Sequence, residues 1–193
     1  MRLDFVHDLQ KVFRKILAAI AGPGSIVDLC AEADLFDLET GMNKGILLVA
    51  LTLLDTETSF AVSASDPGPK GKAISQLCYS KVVDLELADF VFVLEGGDAA
   101  AAIAGARPGS LIDPHLGATL IIEVPSLGVG KELILSGPGI ESSAGLDVGM
   151  GTQWLAARSA KNVEFPLGVD LLLVDRNFHL AALPRTTRVG MGT

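Results

Sequence analysis

A three-layer α/β domain, built on a mixed β-sheet flanked by helices, is the fold class that the sequence predicts. Three observations lead to it. Strand-like and helix-like segments alternate through the first half of the chain, and paired strand signals follow in the second half, where a purely parallel sheet would keep alternating. The 193 residues, 49% of them hydrophobic, are enough for one domain with a core that needs no disulfide or metal staple. Residues 1–193 are therefore read as a single domain.

The first element is a helix over His7–Ala21: Leu9, Val12, Phe13, Ile16, Leu17 and Ile20 recur at helical spacing, opposite Asp8, Lys11, Arg14 and Lys15. Gly22-Pro23-Gly24 stops it, and residues 25–30 read as a strand. Asn43 is placed to cap a second helix reaching Leu54, whose apolar residues surround nearly its whole circumference, so it is expected between layers. Ser59–Ser63 reads as a strand, Asp66-Pro67-Gly68-Pro69 with Lys70, Gly71 and Lys72 as a surface loop, and residues 73–80 as a helix. Residues 89–94 form a buried-strand candidate, and the alanine run at 98–106 a helix ended by Arg107-Pro108-Gly109. Strands at 118–124 and 132–135 are expected to pair as one hairpin, and strands at 168–174 and 178–183 as another through Asp175-Arg176-Asn177.

Charge and composition narrow the function. Formal charge is -8 and aromatic content 5%, with one Trp and one Tyr, which disfavours nucleic acid as a partner: specific binders display basic footprints, and base stacking needs rings. The longest apolar run, residues 45–54, is far short of the roughly 20 needed to cross a bilayer, so no membrane span is expected. The apolar run at 16–21 is too short for a signal peptide, and the protein is read as cytoplasmic. A mean hydropathy of +0.46 suggests apolar surface covered by another subunit, an Ala-, Leu- and Gly-rich composition being the plainer alternative. Five acidic residues, Asp28, Glu32, Asp34, Asp37 and Glu39, stand between Lys15 and Lys44 without a basic one, as a solvated face or a docking patch. From Arg158 onward five basic residues outnumber three acidic ones.

No catalytic constellation survives inspection. Gly128-Val129-Gly130-Lys131 lacks the first glycine and the hydroxyl of a phosphate-binding loop, Pro125 and Glu132 standing there, and fits a hairpin turn better. Gly137-Pro138-Gly139 is too short for a dinucleotide fingerprint and reads as a tight turn. His7, His115 and His179 are dispersed, and Cys30 and Cys78 lack paired spacing, so neither metal nor redox chemistry is argued. Lys161 near Asp170 is weak support for pyridoxal phosphate chemistry, and a solvated Lys161 is favoured. The residues point to no cofactor. Asp170 ahead of an apolar strand needs donors, and Arg185 is one candidate partner. The functional alternative assigns Arg185, Thr186 and Thr187 to an anion or partner surface.

Several motifs together resemble a known family. They are Phe13-Arg14-Lys15-Ile16-Leu17 with Pro23-Gly24 after it, Leu51 to Asp55, Gly117 to Ile121, Ser136-Gly137-Pro138-Gly139-Ile140, Phe165-Pro166-Leu167-Gly168-Val169-Asp170, and Pro184-Arg185-Thr186-Thr187. In order and spacing they resemble the H subunit of the bacterial carbon-phosphorus lyase system over essentially the whole chain, with a weaker match at 67–113. The resemblance implies a fold like the large domain of pyridoxal phosphate-dependent transferases without that cofactor. It also implies a cytoplasmic accessory subunit without an assigned active site, homodimeric alone and joined to the other core subunits in the cell. That machinery makes ribose 1-alkylphosphonate 5-triphosphate from ATP and alkylphosphonate. Gly137, Pro138, Gly139, Phe165, Pro166, Gly168, Asp170 and Pro184 are then structural motif residues. The rival is a stand-alone nucleotide- or phosphonate-binding protein or enzyme using the basic C-terminal part.

Overall fold

The computed structural model describes residues 2–192. Its main sheet has seven strands in the order β1-β9-β8-β5-β4-β2-β3, and a second sheet has three in the order β10-β6-β7. The main strands are β1 (Val27–Asp28), β2 (Ser59–Ser63), β3 (Lys81–Val82), β4 (Phe90–Val93), β5 (Thr119–Val124), β8 (Asp170–Asp175) and β9 (His179–Leu183). From β3 to β8 the pairing is parallel; β8–β9 and β9–β1 are antiparallel, so the sheet is mixed.

Period-two alternation gives the sheet two apolar faces. Phe60, Phe92, Ile121, Leu172 and Val174 point to one side, where they pack with α1 (His7–Ala21), α2 (Cys30–Ala33), α3 (Lys44–Leu53) and α4 (Pro67–Cys78). Ala61, Val91, Leu120, Ile122, Leu171 and Leu173 point to the other, toward α5 (Ala99–Gly105), α6 (Gln153–Lys161) and the small sheet of β6 (Leu127–Ser136), β7 (Ala144–Val148) and β10 (Arg188–Met191). The result is a three-layer α/β arrangement in which the helices of one outer layer share their face with a small sheet.

Local chemistry accounts for several boundaries. The Asn43 side chain accepts a hydrogen bond from Gly45 N at 2.8 Å and caps α3, whose residues from Gly45 to Ala50 are all buried, as the apolar circumference requires. Asp98 caps α5 through Ala101 N at 3.0 Å. Asp175 closes the β8–β9 hairpin by accepting from the backbone N–H of Asn177 and of His179.

Four expectations need correction. Residues 66–72 are not a loop: they open α4, because Pro67 and Pro69 lie in the first turn, where no intrahelical N–H partner is lost. The strand expected at 25–30 shrinks to β1, since Cys30 starts α2. The expected hairpin of 118–124 with 132–135 does not form. Both edges of β5 are taken by β4 and β8, so β6 leaves the sheet after Pro125-Ser126 and pairs with β7 and β10. The Gly128-Val129-Gly130 segment is an irregularity within β6, where Leu127 and Lys131 both face Val148.

On α1 the buried side is set by Val12, Ile16 and Ala19, with Asp8 also inward, while Phe13, Leu17 and Ile20 are 44%, 47% and 42% exposed. Half of the apolar stripe therefore faces outward. Glu32, expected in a solvated acidic stretch, is buried and bonded to Lys15 Nζ at 2.6 Å. Among the described residues no helix is long and apolar enough to cross a membrane.

Candidate functional site

The turn after β9 organises the C-terminal part. Thr187 N donates to Pro184 O at 2.9 Å, folding Pro184-Arg185-Thr186-Thr187 back on itself. Asp170, at the start of β8, receives Arg185 N at 2.7 Å on one oxygen and Arg185 Nε and Nη2 at 3.1 and 2.5 Å on the other. Arg185 Nη1 donates to Pro114 O at 2.8 Å. The Asp170–Arg185 bridge weighed in the sequence is thus present, and it ties the turn to the head of a central strand through a charge-assisted fork.

Beneath the turn lies a residue that the sequence did not single out. Arg158, on the inward face of α6, is 3% exposed and donates from Nη2 to the carbonyls of Pro184 at 2.7 Å and Thr187 at 3.0 Å. Burial pushes its guanidinium down to about 10, with Asp170 acting in the opposite direction. Its Nε and the hydroxyl of Thr187, which is 2% exposed, are buried without hydrogen-bond partners.

These groups border a cavity of about 780 Å³. Ser136, Gly137 and Pro138 from the end of β6 form one wall, α6 contributes Arg158 and Ser159, and Phe165 with Val163 stands at the loop side. Arg185, Thr186, Thr187 and Arg188 close it. The fold brings together six of the residues marked in the sequence: Gly137, Pro138, Phe165, Arg185, Thr186 and Thr187. Gly139, Pro166, Gly168, Asp170 and Pro184 are not among its lining residues.

The structural motif glycines Gly137, Gly139 and Gly168 each have positive φ and meet a steric demand. Gly137 has φ 128° and would place a Cβ 2.9 Å from Thr186 O; Gly168 has φ 133° and would place one 2.5 Å from Asn162 Oδ1. That amide oxygen accepts from Val169 N at 2.8 Å while Nδ2 donates to Val169 O at 3.1 Å, so α6 is fastened to the approach of β8.

Other candidates are accounted for locally. Lys161 is partly exposed, and its Nζ donates to Ala104 O and Ala106 O at 2.6 and 2.9 Å, closing the end of α5. Gly137-Pro138-Gly139-Ile140 forms the expected tight turn, with Ile140 N on Gly137 O at 3.1 Å. Cys30 and Cys78 are free thiols. The Asp28 hydrogen bond raises Cys30 to about 11, and burial raises Cys78 to about 12, so both stay protonated near neutrality.

Comparison with known proteins covers almost the whole chain. A family model described as bacterial phosphonate metabolism protein (PhnH) matches residues 3–190. A protein of Stutzerimonas stutzeri named C-P lyase subunit HtxG is 36% identical over 188 residues, 94% of this chain and 86% of the relative. A Rhizobium meliloti (strain 1021) protein named alpha-D-ribose 1-methylphosphonate 5-triphosphate synthase subunit PhnH is 31% identical over 188 residues, 96% of this chain and 92% of the relative.

Proposed function

The chain belongs to the PhnH family of bacterial phosphonate metabolism proteins, and from that premise we propose that it is a non-catalytic accessory subunit of a carbon-phosphorus lyase core complex. In this reading it is required for forming ribose 1-alkylphosphonate 5-triphosphate from ATP and an alkylphosphonate, and the other core subunits are its partners. It acts in the cytoplasm as one domain over residues 1–193, homodimeric when alone. Its three-layer architecture is a relative of the large domain of pyridoxal phosphate-dependent transferases, without the cofactor.

The observation that carries the assembly reading is the outward row Phe13, Leu17 and Ile20 on α1, spaced so that all three fall on one helix face. Apolar surface in contiguous rows marks contact sites more often than isolated exposed side chains do. Copurification of tagged chain with the other core subunits tests it, alongside sedimentation of the isolated chain. A dimer that joins those subunits is expected, with a Phe13→Ser/Leu17→Ser/Ile20→Ser variant that folds but assembles poorly. A persistent monomer that ignores the subunits under native conditions overturns the proposal, as does turnover of substrate by the isolated chain.

A further inference from the structure

A subunit that pairs with itself and also joins unlike chains needs two contact surfaces, and the molecule carries a second apolar face besides the α1 row. The segments 107–117 and 162–168 meet at the amino ends of β5 and β8, where Gly168 N donates to Pro108 O at 2.9 Å. They expose Leu111, Ile112, Val163 and Phe165 at 66%, 89%, 82% and 74%, each more than any member of the α1 row. Beside them the ends of α5 and α6 leave a groove of about 390 Å³ between Ala104, Pro108, Ala157, Ala160 and Leu167. The small side chains of that groove leave room for one large apolar side chain from outside. Because α1 packs on one side of the main sheet and α6 on the other, the two faces are separate.

Charge distinguishes this face from the rest of the chain. Segments 107–117, 158–170 and 184–188 hold five basic and three acidic residues, a surplus of two, which leaves -10 on the remainder of a chain of net charge -8. Asp170 is taken by Arg185, and Arg107 by Asp89. Arg158 and Lys161 spend their donors on carbonyl oxygens, and Arg188, which is exposed, makes no ion pair among the described residues. Against these three cations stand Asp113 and Glu164. A two-fold seam sets a face against its own copy, so here it would oppose like surpluses, whereas an acidic partner neutralises them.

We propose that this face docks an acidic segment of another core subunit, which seats a large apolar side chain in the groove and sets carboxylates against Arg188. The inference rests on the subunit role proposed above and assigns that role a surface and a partner chemistry. The exposed side chains of Ile112 and Phe165 close over the seated segment and exclude water, as the rim of a contact hot spot does.

Coexpression of the tagged chain with the other core subunits, followed by copurification at 50 and 500 mM NaCl, tests this. Sedimentation of each variant alone reports self-association, and its thermal midpoint reports folding. Ile112→Ser/Phe165→Ser should retain less than a tenth of the subunits that the parent captures, and Arg188→Glu less than a fifth, both with parental sedimentation and midpoints. Leu111→Ser, at a separate exposed position, should weaken capture at least twofold. Parental capture should fall at least threefold at the higher salt, as surface charge is screened. Full capture by Ile112→Ser/Phe165→Ser and by Leu111→Ser overturns the docking face while leaving the subunit role standing. Salt-independent capture, or full capture by Arg188→Glu, overturns the acidic partner. Loss of self-association with capture intact would place a second copy on this face and overturn the inference. A parent chain that captures no subunit overturns the subunit role and this inference with it.

Discussion

The two ends of the central parallel strands make a sharp contrast. At their carboxyl ends, where open α/β sheets ordinarily bind ligands, Glu95, Glu123 and Asp98 stand among Arg176, Lys44 and Lys70, with Arg176 on Glu95 at 3.1 Å and Lys70 donating to Glu95 O at 3.5 Å. The crevices there are smaller, about 190 and 480 Å³. At the opposite end, where β8 begins and β9 ends, lie three arginines and the largest of the cavities described. The first end mixes both signs of charge, while the cavity at the second is lined by arginines and by no acidic side chain.

The largest expected effect comes from the strand that joins the two ends. Leu172 is 2% exposed in the middle of β8, so Leu172→Asp buries an unpaired charge and should cost more than about 4 kcal/mol, eliminating cooperative urea unfolding. A normal unfolding transition would contradict its burial. Asp170→Asn acts at the basic end alone. The Arg185 and Asp170 side chains are 15% and 32% exposed, so losing the fork should cost about 2 kcal/mol by urea titration, allowing for partial solvation. Glu95→Gln at the mixed-charge end removes a pair whose side chains are 65% and 75% exposed, and a change below about 0.5 kcal/mol is expected. Equal losses in these two variants would erase the contrast.

A smaller, pH-dependent effect distinguishes the basic end further. Asp89, ahead of β4, accepts from Ser59 Oγ at 2.6 Å, Ser59 N at 2.9 Å and Arg107 Nη2 at 2.5 Å. Burial alone would raise its carboxyl, but these donors outweigh it and hold the group below the usual carboxylate value. The folded form therefore releases the proton more readily than the unfolded chain. The stabilisation is full above the unfolded value, about pH 4, and fades as acid protonates the folded carboxyl below it. Thermal midpoints measured between pH 6 and pH 2 should fall less steeply in Asp89→Asn than in the parent; parallel curves would remove Asp89 from the acid limb.

What was legible in the sequence follows the range of each signal. His7–Ala21, Asn43 as a cap, Ser59–Ser63 and the β8–β9 hairpin all rest on periodicity or turn chemistry within a few residues. Helix α6 went unread because its inward face carries Arg158 below Trp154, and a basic residue breaks the apolar pattern that announces a buried helix face. Strands β7 and β10 were missed because they exist through pairing with β6, and β10 lies about fifty residues away from that partner. Of the cavity, the motif residues Gly137, Phe165 and Arg185 stood out individually, but nothing local links segments near 136, 158 and 187.

The sequence by itself determined the alternation of elements, the apolar strands that must lie inside and the need of Asp170 for donors, since each follows from side chains and near neighbours. Tertiary structure alone decided that β6 departs from β5, that half of the α1 stripe faces outward, and that Arg158 sits buried beside an unpartnered Thr187 hydroxyl. Those outcomes depend on which sheet edges and faces remain free once the chain has closed, a competition between distant segments that no local pattern encodes.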